Sequence, residues 1–160
     1  MSQSSIRSTY FLDSSAIAKR YANELGTAWI SELCVPNAER LIALSQISLV
    51  EVAAVLAAKQ RGNHISSETY DQAFNDLLAD AKGQYFLVDV DPAVIDRAVQ
   101  LTCRQKLRGC DAIQLAGALA LHDALLKNDL PGITFVCADD DLLSAASAEG
   151  LAIENPNLHA

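Results

Sequence analysis

Short apolar runs alternate along this chain with longer stretches of helical periodicity. The runs are continuous rather than alternating, which is typical of strands buried on both faces of a parallel sheet. Four are predicted strands and a fifth can lie at an edge: residues 9–13, 41–44, 86–90, 133–138 and 151–153. Strands that alternate with helices predict an α/β/α sandwich with a central, mostly parallel sheet of four to five strands and right-handed crossovers.

The segments between the strands are predicted helices of unequal polarity. The helix over residues 47–59 has almost no polar face, which predicts that it is largely buried. The helix that begins near Asp111 consists of small and apolar residues nearly all round, which suits close packing against a sheet. The helices at residues 28–33 and 67–81 are amphipathic and leave a polar face for solvent.

A chain of 160 residues, 51% of them hydrophobic, is long enough to form one domain with its own core. We expect this domain to span residues 1–160, with its core at about 8–154 and short terminal tails. No apolar run reaches the ~18 residues that a membrane span needs, and no hydrophobic signal segment opens the chain. The expectation is a cytoplasmic protein without a membrane partner.

The four cysteines and three histidines show no spacing typical of a metal site. The cysteines mostly lie in apolar runs, which predicts small core residues in a reducing compartment. The net charge of −8 argues against a broad basic surface for nucleic acid. It does not exclude a nuclease, because clustered carboxylates contribute several of those charges and a divalent cation would reverse their local sign.

Four acids are predicted to meet at one edge of the sheet. Asp13 and Asp139 end strands there, Asp111 begins a helix there, and Glu51 lies one turn into another. Ligands of open α/β sheets bind at this edge. The alternative is structural for each acid, since Asp is a preferred N-cap and Ser48 with Glu51 fits a capping box. Convergence of acids from four separate segments nevertheless favours a functional pocket.

Clustered carboxylates repel one another, so they stay ionised together only around a positive charge. Mg²⁺ prefers oxygen ligands and is usually held by one or two carboxylates together with waters and substrate phosphates. Such an ion polarises a phosphodiester and activates a bound water. The pattern therefore predicts a Mg²⁺ (or Mn²⁺) site with Asp13, Asp111 and Asp139 as ligands. Glu51, and Asp141 through a water, are further candidates.

Four segments in this order resemble the PIN-domain ribonucleases, and among them the VapC-type toxins of bacterial toxin–antitoxin pairs. The segments are residues 10–16, 48–52, 107–116 and 136–139, so the resemblance extends over essentially the whole chain. Each segment is weakly specific alone, and the four together are fairly specific. The resemblance implies a single PIN-like domain.

The resemblance also implies a function for the acids. They would form the catalytic quartet of a Mg²⁺- or Mn²⁺-dependent endoribonuclease: Asp13, Glu51, Asp111 and Asp139. Ser14 would be a supporting hydroxyl. RNA is then the substrate and a cognate antitoxin a partner, while the apolar composition and the amphipathic helices favour a homodimer.

Two departures from the family pattern concern the fourth acid. Cys137 stands where many members carry Thr or Ser, so a weak thiol donor replaces a hydroxyl. Asp140 and Asp141 follow Asp139 where basic residues are common. Geometry favours Asp139 as the site residue, because it ends the strand whereas the next two fall in the first turn of a helix.

Two other functions compete with the nuclease. A phosphoryl-receiver domain is a signalling module that also binds Mg²⁺ at strand ends. It requires paired acids after the first strand and a lysine after the fifth, whereas Asp13 is unpaired and Glu154 follows the fifth strand. The other alternative is a PIN fold that is retained only for protein interaction. All four acids are present, so nothing in the sequence requires this alternative.

Overall fold

Five parallel strands form the centre of the fold in a computed structural model that describes residues 6 and 8–159. The strands are β1 (Ser8–Leu12), β2 (Arg40–Ser45), β3 (Tyr85–Val88), β4 (Ile133–Val136) and β5 (Ala152–Glu154). Their order across the sheet is β3-β2-β1-β4-β5, and every neighbouring pair is parallel. The predicted sheet is confirmed, including its edge strand. The predicted N-terminal tail falls almost wholly outside the described residues.

Helices cover both faces of the sheet. In the described residues they are α1 (Ser14–Tyr21), α2 (Thr27–Leu33), α3 (Gln46–Arg61), α4 (Ser67–Gly83), α5 (Pro92–Arg104), α6 (Gly109–Lys127) and α7 (Asp140–Ala148), followed by a 3₁₀ turn (Pro156–Leu158). Successive strand residues point to opposite faces. Leu12 therefore packs with α1–α4, whereas Phe11 packs with α5–α7 and stacks on Phe135 at 5.9 Å between ring centroids. The predicted sandwich is confirmed.

Three strands end earlier than predicted. β1 ends at Leu12, β3 at Val88 and β4 at Val136, one or two residues before the predicted ends. The cause is that the chain turns early into the next helix, with Asp13 and Asp139 as N-cap residues of α1 and α7. Both acids consequently lie in the loops at the carboxyl edge of the sheet.

The prediction that the helix over residues 47–59 is largely buried is wrong. In α3 only one stripe is covered, formed by Ser48, Val52 and Leu56, while Val50 is 72% exposed and Val55 39%. The reason is that α3 packs mainly against α1 and α4, which leaves its opposite side exposed in the described part of the chain. An apolar helical face therefore remains on the surface.

The cysteines divide equally between core and surface. Cys34 and Cys137 are buried as predicted, whereas Cys103 and Cys110 are exposed, against the prediction. Cys103 lies in the last turn of α5 and Cys110 in the first turn of α6, where helix ends project beyond the packed layer. All four are free thiols. As for spans, none of the helices in the described part of the chain is both long and apolar enough to cross a membrane.

Candidate active site

A cavity of about 530 Å³ lies at the carboxyl edge of the sheet. Its walls come from the loops after β1 and β4, from α1 and α3, and from the start of α6. All four predicted acids line it: Asp13, Glu51, Asp111 and Asp139. Ser14 lines it as well. The structure thus brings together every residue of the predicted quartet, while their chemical roles stay predictions.

Asp13 is the enclosed acid of this cavity, with only 4% of its surface exposed. Its Oδ1 accepts hydrogen bonds from the Ala16 amide (3.0 Å) and the Ser15 hydroxyl (2.7 Å), and its Oδ2 accepts one from the Cys137 thiol (3.2 Å). Burial raises the pKa of Asp13 to about 6, although the bonds from Ser15 and Cys137 lower it in part. Asp13 is therefore both a helix cap and an incompletely compensated carboxylate.

Ser15 and Cys137 also connect Asp13 to the loop after β4. The Ser15 hydroxyl accepts from the Ala138 amide (3.0 Å), and the Cys137 sulfur accepts from the Asp139 amide (3.2 Å). Burial, together with the adjacent Asp13 carboxylate, raises the pKa of the Cys137 thiol, which keeps it protonated and able to donate. Sequence reasoning missed Ser15, whose signal was a second hydroxyl residue directly after Asp13 and Ser14.

Asp111 and Asp139 form the open part of the site around Arg108. The Arg108 Nε lies 3.3 Å from Asp111 Oδ2, and its Nη2 lies 3.8 Å from Asp139 Oδ2. The Arg108 side chain is 84% exposed, so these are surface ion pairs, which contribute little free energy and exchange easily. The sequence signal for Arg108 was a cation three residues before an acid at a helix start.

Capping accounts for only two of the four acids. Asp13 and Asp139 are N-caps, and Asp139 Oδ1 accepts from two backbone amides of α7 at 2.9 and 3.1 Å. Asp111 is the third residue of α6 and Glu51 the sixth of α3, so neither is an N-cap. The alternative of a capping box formed by Ser48 and Glu51 does not apply, because Ser48 lies inside α3 and is fully buried.

The two acids after Asp139 point to different places. Asp140 accepts a hydrogen bond from the Asn155 side chain (3.2 Å) and does not line the acidic cavity. Asp141 lines a smaller adjoining cavity of about 350 Å³, together with Arg108 and Asp111. Both begin α7, as predicted. The geometry therefore agrees with Asp139 as the primary residue of the three and puts Asp141 at the rim.

Gln114 is the second functional candidate that sequence reasoning missed. It is 2% exposed, lines the cavity and donates from Nε2 to Ser14 (2.7 Å), Ser48 (2.9 Å) and Glu51 (3.0 Å). It thereby joins α6 to α3 and to the start of α1. The signal in the sequence was a single amide inside an otherwise apolar helix.

The charge of the cavity favours cations. Five acidic residues line it but only two basic ones, and one of those, Lys19, is paired with Glu24 at 3.5 Å. Among the described residues, no three His, Cys, Asp or Glu side chains are arranged as a ready-made metal cluster. Mg²⁺ does not need such a cluster, because one or two carboxylates with waters and phosphates suffice. The buried Asp13 beside further carboxylates fits such an ion.

The fold resembles solved structures over nearly the whole chain. A toxin–antitoxin complex from Klebsiella pneumoniae matches at TM-score 0.59 and 18% identity, covering 92% of this chain and 97% of that one. VapBC2 from Rickettsia felis, bound to a promoter DNA fragment, matches at 0.57 and 16%, covering 92% and 98%. VapC20 from Mycobacterium tuberculosis, a toxin that cleaves the sarcin–ricin loop, matches at 0.57 and 16%, covering 91% and 97%.

Comparison of the sequence itself gives no matching family model and no matching curated protein. These three structures are 16–18% identical to this chain, so they establish the fold and leave the activity to the site. The agreement concerns the α/β architecture with its central parallel sheet. The chain has the PIN-domain fold of these toxin–antitoxin proteins, as its four sequence segments predicted.

Proposed function

We propose that this chain is a Mg²⁺- or Mn²⁺-dependent endoribonuclease and the toxin of a VapBC-type pair. The observation that carries the proposal is that acids from four separate segments line one cavity in a PIN fold. The receiver alternative has strand order 2-1-3-4-5. The order here is 3-2-1-4-5, which counts against that alternative.

The metal would be held by Asp13, Asp111 and Asp139, with Glu51 and Asp141 close enough to the cavity to bind through waters. When bound, it polarises the phosphodiester and lowers the pKa of a water. The protein's part is positional. Asp13 is immobilised by its three hydrogen-bond donors, so it provides a fixed ligand.

Arg108 has the complementary part in binding RNA. Its guanidinium forms exposed ion pairs with Asp111 and Asp139, which exchange easily, so the guanidinium can leave them for another anion. A free guanidinium at this edge can bind a phosphate of the incoming strand in a bidentate manner. RNA is therefore bound next to the acids although the net charge of the chain is −8.

The toxin assignment adds an antitoxin as partner. Two of the solved relatives are toxin–antitoxin complexes, and the exposed apolar face of α3 includes Ala54 and Val55, which also line the acidic cavity. A partner bound there could place a cationic side chain among the acids, in charge-assisted hydrogen bonds. The apolar surface is also consistent with the predicted homodimer. Light scattering of the purified chain at micromolar concentration, alone and mixed with any small DNA-binding protein that is found encoded just upstream, tests both partners.

The activity is tested with purified protein and RNA that contains single-stranded loops. We expect cleavage with Mg²⁺ or Mn²⁺, loss of cleavage with a chelator, and loss in the Asp111→Asn variant. Asp96→Asn is the matched control, because Asp96 is an exposed acid on α5 outside the cavity. Cleavage that survives both the chelator and Asp111→Asn would refute the proposal.

A further inference from the structure

Gln114 is a polar side chain in the most buried part of α6. It is 2% exposed, and the next two residues of the helix, Leu115 and Ala116, are fully buried. Burial of an amide is costly unless its polar atoms are hydrogen-bonded. The Nε2 of Gln114 lies within hydrogen-bond distance of three acceptors, and their chemistry indicates its role.

The orientation of the Gln114 amide is determined by Glu51. An amide nitrogen has two hydrogens, whereas three acceptors lie within 3.0 Å of it. The hydroxyls of Ser14 and Ser48 can donate or accept, so they would tolerate either end of the amide. A carboxylate can only accept, so the nitrogen has to face Glu51.

The burial of the oxygen end of the Gln114 amide is not compensated by a hydrogen bond within the described residues. Gln114 Oε1 is buried and has no hydrogen-bond partner among the described residues. A buried, unpaired polar group destabilises the folded state, and an apolar side chain of the same size would avoid that cost. The stability of α6 therefore does not explain why residue 114 is a glutamine. A function of its Nε2 donor would explain it.

We infer that Gln114 is a positioning residue that fixes the Glu51 carboxylate in the acidic cavity. The inference rests on the proposed nuclease function, in which Glu51 must present its oxygens to the metal or to its waters. Glu51 extends from α3, whose outer side is uncovered, so α3 alone does not fix the carboxylate. Gln114 joins it to α6, which also carries Asp111, and to Ser14, which follows Asp13.

The variant that tests the inference is Gln114→Leu, which keeps the volume and removes the donor. We expect an unchanged or higher thermal midpoint, because the unpaired Oε1 is removed as well. The kcat for RNA cleavage should fall by about 10–100-fold, the usual cost of losing a residue that orients a ligand, with KM nearly unchanged. Gln114→His retains a ring N–H donor and should recover part of kcat.

Leu125→Ala is the matched control. Leu125 is buried in the last part of the same helix and does not line the cavity, so its truncation should lower the thermal midpoint and leave kcat unchanged. A merely structural role of Gln114 would give the same signature as this control. A Gln114→Leu variant with wild-type kcat, or one whose kcat falls only in proportion to lost folding, would overturn the inference.

A readout without activity separates this inference from the proposed function. In the wild type, the side-chain amide protons of Gln114 should be protected from solvent exchange in NMR spectra. Glu51→Ala should shift their resonances and speed their exchange, whereas Glu68→Ala, at an exposed acid of α4, should not. If wild-type protein cuts no RNA, the nuclease proposal fails on its own. If the Gln114 protons do not respond to Glu51→Ala, the positioning inference fails.

Discussion

The acidic cavity has a closed half and an open half. In the closed half, Asp13 is 4% exposed and receives hydrogen bonds from an amide, a hydroxyl and a thiol. In the open half, the side chains of Asp111 and Asp139 are 24% and 39% exposed and share one mobile cation, Arg108. The carboxylate of Asp13 is thus held by hydrogen bonds at one end of the cavity. At the other end, the ion pairs of Asp111 and Asp139 with Arg108 can exchange.

This difference separates two requirements of a metal-dependent nuclease. If the chain is the proposed nuclease, the closed half would keep one ligand in place before the metal binds, at a cost in stability, because a buried carboxylate is poorly solvated. The open half allows metal, water and phosphate to enter, since its ion pairs are weak. We therefore expect substitutions of Asp13 to change catalysis and stability in opposite directions at neutral pH.

The largest effect is expected for Asp13→Asn. Asparagine can still cap α1 through its side-chain oxygen, so the fold is retained. The metal loses its fixed ligand, and cleavage should fall by more than about 100-fold, because even outer-shell partners of a metal contribute 10–100-fold. Initial rates of RNA cleavage and a thermal melt measure the two effects. A variant that is inactive because it is unfolded would contradict the separation proposed here.

The second prediction concerns the pH dependence of stability in metal-free protein. The pKa of Asp13 is about 6 in the folded state against an ordinary value of 3.8, so between these values the folded state binds more protons. The contribution of Asp13 to the free energy of unfolding therefore falls as pH rises from about 3 to about 7, by roughly 3 kcal/mol in total. Urea melts at pH 4, 5, 6 and 7 should show Asp13→Asn gaining on the wild type as pH rises. A constant difference would contradict the raised pKa.

The closed half was also harder to predict from sequence than the fold was. Continuous apolar runs identified the strands, because a strand buried on both faces has no polar face to show. The acids at strand ends could be found as well, since parallel strands deliver them to one edge. The contacts of Ser15 with Ala138 and of Gln114 with Ser14 connect residues about 100 or more positions apart, and no local pattern encodes them.

The burial of α3 could not be predicted for a related reason. An apolar helix indicates that something covers it, but the pattern does not say whether the cover is the same chain. In α6 the cover is the sheet and α5, and the prediction holds. In α3, Val50 is 72% exposed, so part of the apolar pattern of this helix lies on the surface and not in the core.

The third prediction compares Asp139, which lies in the open half, with the two acids that follow it. Asp139→Asn should weaken cleavage by at least about 10-fold and raise the Mg²⁺ concentration needed for half-maximal rate, since its Oδ2 faces the cavity. Asp140→Asn should change the rate little, because Asp140 bonds to Asn155 instead. Asp141→Asn should fall between them. Near-normal cleavage in Asp139→Asn with loss in Asp140→Asn would make the assignment wrong.

The fourth prediction removes the exchangeable cation. Arg108→Gln should raise KM for RNA several-fold and reduce the slope of log KM against log salt by about 1, as expected for one lost phosphate contact. The thermal midpoint should hardly change, because the ion pairs of Arg108 are exposed. Lys82→Gln, at an exposed lysine in the last turn of α4, is the control and should alter neither. An unchanged salt slope would show that Arg108 does not contact phosphate.

The smallest effect is expected for Cys137→Ser. This change introduces a hydroxyl at the position of the closed half where many members of the PIN-domain family carry Thr or Ser. A hydroxyl donates more strongly than a thiol, so the bond to Asp13 Oδ2 should strengthen and lower the pKa of Asp13 below about 6. A larger fraction of Asp13 is then ionised in mildly acid solution, so the cleavage rate of the variant should exceed that of the wild type about two- to threefold at pH 5.5. At pH 7.5 the two rates should be nearly equal, because Asp13 is ionised in both proteins. Cys137→Ala removes the donor and should shift the pH profile the other way. Profiles of kcat/KM between pH 5 and 8 for the three proteins measure the shift, and coincident profiles would mean that the thiol does not influence Asp13.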